Sequence, residues 1–310
     1  MNEFELIAQW TRSLPANSSV VVGPGDDCAV LDSGQPGRYL LLKTDAVVQG
    51  IHFTDDAKPE QIGHKALGRC LSDIAAMGGR PMAALVTMAL PKVFDPAYLQ
   101  RIYDGMNRLA ARHNTAIVGG ETTTNPERLL ISVCVLGEVA SCKCVLRSGA
   151  KAGDALFVSG ELGGSLAGRH LEFEPRLTEA EWLASHFAIH AMIDISDGLA
   201  GDLRHILQSS KVGAEILAQA IPISPAARAR AKAKTSDRTP LMAALSDGED
   251  FELLFTVAAR DAVPLLDAWK KEFPKVHLAC VGKITAAPGL TLRDKTGVHP
   301  LTAHGYIHFS

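Results

Sequence analysis

The residues with the clearest chemical potential are acids that stand in or beside turns of small residues. Asp26 and Asp27 follow a Gly-Pro-Gly bend within GPGDDCAVL, which spans residues 23–31. Asp after Gly and Pro is common in turns, so this pair taken alone is most simply a turn. A binding role for either acid needs support from other parts of the chain.

A similar arrangement recurs, in which an apolar segment predicted to be a strand ends in an acid within a turn rich in Gly, Ser or Thr. It is present in LLLKTDAV with Asp45, LSDIAAMGG with Asp73, IVGGETTT with Glu121, and IDISDGL with Asp194 and Asp197. Each site alone is still best explained as a turn or a helix N-cap. Their recurrence favours a shared role.

Acids that converge need compensating cations, because unit charges about 4 Å apart repel by roughly 4 kcal/mol even at an effective dielectric near 20. Hard oxygen ligands without a neighbouring Cys or His cluster indicate Mg²⁺ rather than Zn²⁺. Such a site suits phosphoryl transfer, where metal ions neutralise the charge of the moving group.

The common nucleotide-binding and metal motifs are missing from the sequence. Gly282-Lys283 is followed by Ile284, which excludes a P-loop, and no G-x-G-x-x-G follows a predicted strand. H-E-x-x-H is also missing. The sequence therefore disfavours P-loop, Rossmann and zinc-protease chemistry.

Strand and helix patterns alternate along the chain and predict a mixed α/β protein. Predicted strands cover residues 20–22, 39–42, 83–90, 115–118, 129–138, 155–159, 192–195, 214–217, 250–257 and 277–284, and predicted helices cover 3–10, 59–77, 96–113, 198–208 and 261–273. A segment rich in Gly, Ser and Ala at 146–168 predicts a boundary between domains at 1–144 and 145–310.

Composition favours an enzyme that acts on small molecules. The chain has 310 residues, 47% of them hydrophobic, and a net charge of −3 with both signs interspersed, which argues against a nucleic-acid or membrane surface. Neither a signal peptide nor a membrane span is predicted. Six cysteines without a C-x-x-C pair are typical of buried thiols in a reducing compartment, so we expect a cytoplasmic protein.

Seven short motifs, taken in order, resemble those of one family. They are GPGDDCAVL, KTDAVVQGIHF, LSDIAAMGG, VGGETT, LRSGAKAGD, IDISDGL and DGEDFELLFTV. The chain is similar to thiamine-monophosphate kinases, in the superfamily of aminoimidazole ribonucleotide synthetase and selenophosphate synthetase. The resemblance implies the two-domain α/β (α+β) fold of that synthetase, with an N-terminal domain that forms a barrel across a homodimer and ATP bound between the domains.

The resemblance also implies an activity and a set of site residues. The activity is transfer of the γ-phosphate of ATP to thiamine monophosphate, which gives thiamine diphosphate. The implied Mg²⁺ ligands are Asp27, Thr44, Asp45, Asp73, Glu121, Asp194 and Asp197. The implied ATP contacts are Tyr103, Gly120, Glu121, Arg147 and Ser196, and the implied thiamine monophosphate contacts are His52, Glu249 and Tyr306. Asp26 is expected to form the turn or to support the neighbouring ligand Asp27.

This chemistry requires no covalent nucleophile, because a phosphate monoester has a second pKa of about 6 and is already ionised near pH 7. We therefore expect direct in-line transfer between two phosphates, assisted by several Mg²⁺ ions. Arg147 is suited to a bidentate phosphate contact.

Some positions depart from the family pattern, and two further functions stay open. Glu121 stands where the family has Asp, and Arg69-Cys70 replaces the usual Asn and its neighbour. His52, Tyr103 and Tyr306 could each be packing residues. The alternative functions are a selenophosphate synthetase-like enzyme, although no Cys precedes Cys28, and a nucleotide-binding regulator without catalysis.

Overall fold

The computed structural model describes residues 3–233, 238–303 and 305, and it forms two sheets flanked by helices. The first half contains α1 (Glu3–Thr11), β1 (Val20–Val22), β2 (Ala29–Asp32), β3 (Arg38–Val48), α2 (Pro59–Ala76), β4 (Arg80–Leu90), α3 (Pro96–Arg112), β5 (Ala116–Thr124) and β6 (Leu130–Ala140). The second half contains β7 (Ala155–Ser159), α4 (Leu177–His186), β8 (Ile189–Asp194), α5 (Leu199–Ser210), β9 (Gly213–Leu217), α6 (Pro225–Lys232), α7 (Pro240–Ser246), β10 (Leu253–Val257), α8 (Ala262–Glu272), β11 (Leu278–Thr285), β12 (Gly289–Asp294) and β13 (Gly297–Pro300).

The N-terminal sheet has the strand order β1-β2-β3-β6-β4-β5. Strands β3 and β6 pair antiparallel from Arg38 opposite Ala140 to Val48 opposite Leu130. Buried and half-exposed residues alternate along β6, as they do in a sheet with one covered face. Helix α2 packs on β3 and β6 and covers that face, so the side chains of β3 that point towards α2 are placed in the interior.

Helix α2 is the element that the two halves share. It packs against α3 and β3 of the first half and against α4 and β8 of the second half. Pro59 stands in its first turn, and the Gln61 side chain accepts a hydrogen bond from the Lys58 N–H at 3.1 Å, which satisfies a donor at the helix start. Polar side chains on α2 therefore lie where both halves of the protein meet.

The C-terminal sheet has the strand order β13-β12-β9-β11-β7-β10-β8. Strand β10 is buried along its whole length and pairs antiparallel with β7 and β8. Leu253 at the start of β10 lies opposite Asp194 at the end of β8. The loops that follow β8 and precede β10 consequently meet at one edge of this sheet.

The mixed α/β prediction is confirmed, but its account of the acids is partly wrong. Asp45 lies inside β3, Glu121 lies inside β5 and Asp73 lies inside α2, so these acids do not end strands. Asp194 is the last residue of β8, as predicted. For Asp45 and Glu121, the error arises because the paired strands are longer than predicted. Strand β3 continues past Asp45 in its antiparallel pairing with β6, and β5 continues past Glu121 in its parallel pairing with β4.

Other sequence predictions have mixed outcomes. Cys28 and Cys70 are buried, whereas Cys142 and Cys280 are exposed, so the expectation of buried thiols was wrong for Cys142 and Cys280.

The two sheets fall on either side of the predicted boundary at 144/145, and the boundary itself stays a prediction. In the described ranges, every helix is too short or too polar to cross a bilayer.

Two glycines allow α2 and α3 to approach each other closely. A Cβ atom on Gly63 would lie 1.9 Å from the Ile102 carbonyl oxygen, and one on Gly105 would lie 1.9 Å from the Glu60 carbonyl oxygen. Both obstacles are backbone atoms, which cannot move aside by a change of rotamer. The position of α2, and of every polar group on it, therefore depends on side chains being absent at this crossing.

We predict that Gly105→Ala lowers the free energy of unfolding by about 1–3 kcal/mol, despite the higher helix propensity of Ala, because the methyl group forces the helices apart. Urea unfolding of the variant measures this loss. Asn107→Ala on the exposed side of α3 is the matched control and should leave stability unchanged or slightly raised. A Gly105→Ala variant as stable as the wild type would contradict the close crossing.

Candidate active site

Three buried carboxylates from distant parts of the chain lie together at the junction of the two halves. They belong to Asp27 in the turn before β2, Asp73 in the last turns of α2, and Asp194 at the end of β8. One oxygen of each lies within 4.8 Å of the others. We call Asp27, Asp73 and Asp194 the acidic group.

Two basic side chains offset part of this negative charge. Arg147 Nη2 lies 2.5 Å from Asp27 Oδ1, and its Nε lies 3.2 Å from the same oxygen. Lys43 Nζ lies 2.8 Å from Asp73 Oδ1. Lys43 lies on β3 of the first half, and Arg147 lies in the segment before β7 of the second half. Charge compensation of the acidic group therefore requires both halves of the chain.

The acidic group retains unused acceptor capacity. Ser72 Oγ donates to Asp194 Oδ2 at 2.6 Å. Asp27 Oδ2 is buried and has no hydrogen-bond partner among the described residues. Because buried carboxylate oxygens are costly without a donor or a cation, this atom indicates a place for a positively charged ligand.

Electrostatics lead to the same conclusion. Burial, followed by the charge of Asp27, raises the pKa of Asp194 to about 7. Burial also raises the pKa of Asp73. Burial alone would lower the pKa of Lys43, but the neighbouring Asp73 and Asp45 outweigh it and raise that pKa. Three hard oxygen ligands and an unmatched negative charge are the donor set that Mg²⁺ takes in proteins, so the acidic group fits this ion.

The adjacent Asp26 has a different role from Asp27. Its carboxylate accepts hydrogen bonds from the backbone N–H of Asp27 at 3.0 Å and from that of Arg147 at 3.1 Å. Burial, then the charge of Asp27, raises the pKa of Asp26 to about 6. Asp26 thus ties the Gly-Pro-Gly turn to the segment that carries Arg147, and this agrees with the supporting role expected for it.

A cavity of about 590 Å³ lies beside the acidic group, between α2 and the loops that follow β3 and β8 and precede β10. Its wall includes Arg69, which stands one helical turn before Asp73 on α2, and Ser196, which stands two residues after Asp194. Its walls include six polar residues from both halves: His52, Lys65, Arg69, Ser196, Asp197 and Glu249. Four of these, His52, Ser196, Asp197 and Glu249, were expected from the sequence to contact metal or substrate.

Lys65 connects the two walls of this cavity. It is buried, donates to the His52 carbonyl oxygen at 2.6 Å and forms an ion pair with Glu249. His52 Nδ1 accepts a hydrogen bond from the Val48 N–H at 3.0 Å, which places the proton of the neutral ring on Nε2. Burial, then the charge of Arg69, lowers the pKa of His52 to about 4, so His52 is neutral near pH 7.

The loop before β10 has unusual backbone geometry. Glu249 has φ 57° and Phe251 has φ 51°, values that cost energy for residues with side chains. The Glu249 N–H donates to the Ser196 carbonyl oxygen at 2.7 Å, and the Phe251 N–H donates to the Ile195 carbonyl oxygen at 2.8 Å. These bonds hold the two loops side by side and aim Glu249 into the cavity.

Sequence reasoning missed several polar residues at this site. Lys43 stands two residues before Asp45, so strand alternation alone would have placed both on one face of β3. Lys65, Arg69 and Asp73 recur every four residues, a spacing that puts all three on one face of α2. Their sequence spacing becomes informative once the secondary structure is known.

Asp202 was also missed. It is buried in the first turn of α5, and its Oδ2 accepts a hydrogen bond from the Asp197 N–H at 3.0 Å. Burial, then the charge of Asp197, raises the pKa of Asp202. Its carboxylate holds the loop that presents Asp197 to the cavity.

The structure does not bring every expected residue to the acidic group. Thr44 is exposed on the face of β3 opposite Lys43, where its Oγ1 lies 3.4 Å from Ser132 Oγ. Glu121 is exposed on the edge strand β5 opposite Thr87. Strand alternation and edge position explain both placements, and the metal role of Thr44 and Glu121 stays a prediction.

The roles of Tyr103, Gly120 and Tyr306 also stay predictions. Tyr103 packs against the hydrophobic core, and no described hydrogen bond joins it to the acidic group. Gly120 has no room for a side chain, since a Cβ atom would lie 1.8 Å from the Val86 carbonyl oxygen. Tyr306 lies outside the described residues.

We predict that Asp194→Asn uncouples protein stability from Mg²⁺. Without metal at pH 8, loss of one charge relieves repulsion, so the free energy of unfolding should be unchanged or higher by roughly 1–3 kcal/mol. Millimolar Mg²⁺ should raise the thermal midpoint of the wild type because it binds the folded state, and should raise that of the variant much less.

Thermal scans in EDTA and in Mg²⁺ measure both effects. Asp267→Asn on the exposed face of α8 is the control and should respond to Mg²⁺ as the wild type does. An equal Mg²⁺ response in Asp194→Asn and the wild type would show that this carboxylate does not bind the ion.

Comparison with known proteins agrees with this arrangement. The model of the AIR synthase related protein N-terminal domain matches residues 25–139, and that of the C-terminal domain matches residues 164–295. The thiamine-monophosphate kinase of Rhodopirellula baltica is 41% identical over 96% of this chain and 93% of its own length. That of Bacillus subtilis is 35% identical over 100% of both chains.

A solved structure, AaThiL complexed with AMPPCP and TMP, shares the fold with a TM-score of 0.82. It is 30% identical, and the match covers 99% of this chain and 97% of that one. The two-domain fold expected from the motifs is confirmed. The chain belongs to the thiamine-monophosphate kinase family, within the AIR synthase related superfamily.

Proposed function

We propose that this protein transfers the γ-phosphate of ATP to the phosphate of thiamine monophosphate and so forms thiamine diphosphate. The observation that carries the proposal is the buried acidic group beside a cavity whose walls come from both halves of the chain. The named activity of the relatives, and the AMPPCP and TMP in the solved complex, support the choice of donor and acceptor.

Mg²⁺ is the metal that we propose for this reaction. Asp27, Asp73 and Asp194 would hold it, and the orphaned Asp27 Oδ2 is the observation that favours an ion there. Asp45, whose charge acts on Asp73, and Asp197, three residues after Asp194, are proposed as further ligands. Thr44 and Glu121 are proposed as ligands from the sequence. Bound Mg²⁺ supplies positive charge that neutralises phosphate oxygens during phosphoryl transfer.

Arg147 is proposed to bind ATP phosphates. Its backbone is held by Asp26 and its guanidinium by Asp27, so the side chain is oriented before the nucleotide binds. A guanidinium held in this way matches the bidentate geometry of phosphate oxygens. Ser196, and in the sequence prediction Tyr103 and Gly120, complete the proposed nucleotide contacts.

The acceptor requires positioning rather than activation. Its phosphate is ionised near pH 7, so no general base has to remove a proton. His52, whose pKa is lowered to about 4, is neutral and its Nε2–H is a hydrogen-bond donor to substrate. Lys65 holds Glu249 in the cavity wall, where Glu249 is proposed to contact the thiamine monophosphate. We propose direct in-line transfer without a covalent enzyme intermediate.

We expect the purified protein, with ATP, Mg²⁺ and thiamine monophosphate, to form thiamine diphosphate and ADP in equal amounts. Asp73→Asn should lower kcat by roughly 100-fold or more, the scale observed when one electrostatic contact to a transition state is lost. Chromatographic quantification of thiamine diphosphate measures both.

Asp267→Asn serves again as the control and should retain wild-type turnover. ATP binding without any thiamine diphosphate would contradict the kinase and favour the nucleotide-binding regulator. A wild-type kcat in Asp73→Asn would show that the acidic group takes no part in transfer.

We further propose that two copies of the chain associate through the N-terminal sheet. The face of this sheet opposite α2 exposes large apolar residues, including Leu42 with 39% and Leu85 with 48% of their surface accessible. Leu42 lies opposite Leu136, and Leu85 lies opposite Cys134, so these side chains form one continuous surface. A surface of this kind is typical of a homodimer interface.

Leu85→Asp should convert the dimer to a monomer, because it places a charge in an apolar interface. Light scattering coupled to size-exclusion chromatography measures the mass. Val263→Asp on α8 replaces an apolar residue that is more exposed than Leu85 and lies outside this face, and it should leave the dimer intact. A monomeric wild type would contradict the proposed association.

A further inference from the structure

We propose that Arg69 binds the phosphate group of the acceptor substrate. This inference rests on the proposed function, since it assigns one residue of this chain to the phosphate of thiamine monophosphate. Neither the motifs nor the expected set of substrate contacts includes Arg69.

The position of Arg69 gives it access to the cavity. It stands on α2 one turn after Lys65, and both residues line the cavity. The Lys65 side chain is only 1% exposed, whereas the Arg69 side chain is 15% exposed. Of these two cations, Arg69 is therefore the one that a ligand in the cavity can reach.

The hydrogen bonds of Arg69 leave donors for a ligand. Its Nε lies 2.9 Å from Asp45 Oδ2, but this buried N–H is not aligned as a hydrogen bond. Its Nη1 donates to the Ala46 carbonyl oxygen at a long 3.4 Å, and no described hydrogen bond involves Nη2. A guanidinium has five N–H donors, so most of those on Arg69 remain to be used.

Lys65 cannot replace Arg69 in this role. Its ammonium group is already bound by Glu249 and by the His52 carbonyl oxygen. An ammonium group is also a point charge, whereas the planar guanidinium offers two parallel donors to one phosphate.

The charges of the cavity wall favour a phosphate beside Arg69. The wall also includes the acids Asp56, Asp197, Asp247 and Glu249, of which Asp247 is paired with Arg230 and Arg238, and Glu249 with Lys65. Asp45 holds the Arg69 guanidinium in place through its ion pair, which limits the ordering cost of binding. A phosphate dianion in this cavity is thus attracted to the face of α2 that carries Arg69.

The test compares binding of thiamine monophosphate, unphosphorylated thiamine and ATP to the wild type and to Arg69→Gln by calorimetry. Gln retains a polar amide side chain with N–H donors but carries no charge. We expect the Kd for thiamine monophosphate to rise roughly tenfold to 100-fold, as for loss of charge-assisted hydrogen bonds. The Kd values for thiamine and for ATP should change less than about twofold, because neither ligand carries the acceptor phosphate.

Arg293→Gln is the matched control. This arginine pairs with Glu215 through Nε at 3.1 Å and Nη2 at 3.0 Å on the exposed surface of the C-terminal sheet. The Arg293→Gln variant should bind thiamine monophosphate, thiamine and ATP as the wild type does. If Arg69→Gln fails to fold, Arg69→Lys decides: the retained charge with altered geometry should raise the Kd for thiamine monophosphate roughly threefold to tenfold.

Unchanged affinity for thiamine monophosphate in the folded variant would overturn the inference. Equal losses for thiamine and thiamine monophosphate, or for ATP and thiamine monophosphate, would also overturn it, because they indicate general damage to the site. If the wild type forms no thiamine diphosphate, the proposed kinase function fails separately. Inorganic phosphate then tests Arg69: weaker phosphate binding in Arg69→Gln supports the phosphate site, and equal binding rejects it.

Discussion

The repulsion among Asp27, Asp73 and Asp194 constrains the structure around them. Their oxygens lie within 4.8 Å of one another in the interior, where each pair of ionised carboxylates repels by roughly 4 kcal/mol at an effective dielectric near 20. Lys43, on β3, and Arg147, in the segment before β7, compensate part of this charge. Because the acids and their partners come from both halves, neither half alone forms a balanced site.

Helix α2 positions the acidic group relative to the cavity. The same helix carries Asp73 in the acidic group and Lys65 and Arg69 in the cavity wall. Its depth is set by the crossing with α3 at Gly63 and Gly105, where no side chain fits. Residues on one rigid helix keep fixed mutual positions, so α2 fixes the acidic group and the wall of the cavity relative to each other.

Much of the fold and part of the site could be predicted from local patterns. Alternating strand and helix signals were sufficient for the mixed α/β architecture, and the turn containing Asp27 and the strand end at Asp194 were located correctly. Asp73 was grouped with the acids at strand ends, although it lies within the helix that was predicted over residues 59–77 and that the structure places at Pro59–Ala76. Lys43 and Arg69 were missed because the role of each depends on the acid that it contacts in the folded chain, Asp73 for Lys43 and Asp45 for Arg69.

The sequence by itself determined the kinds of ligand available, hard carboxylate oxygens in an ordered series of motifs, and hence a family of phosphoryl-transfer enzymes. Only the tertiary structure decided which of these acids meet. Strand alternation turns Thr44 to the outer face of the N-terminal sheet, while the meeting of β8 with β10 brings Asp194 beside α2. Convergence of residues far apart in the chain depends on packing between elements, which no local pattern encodes.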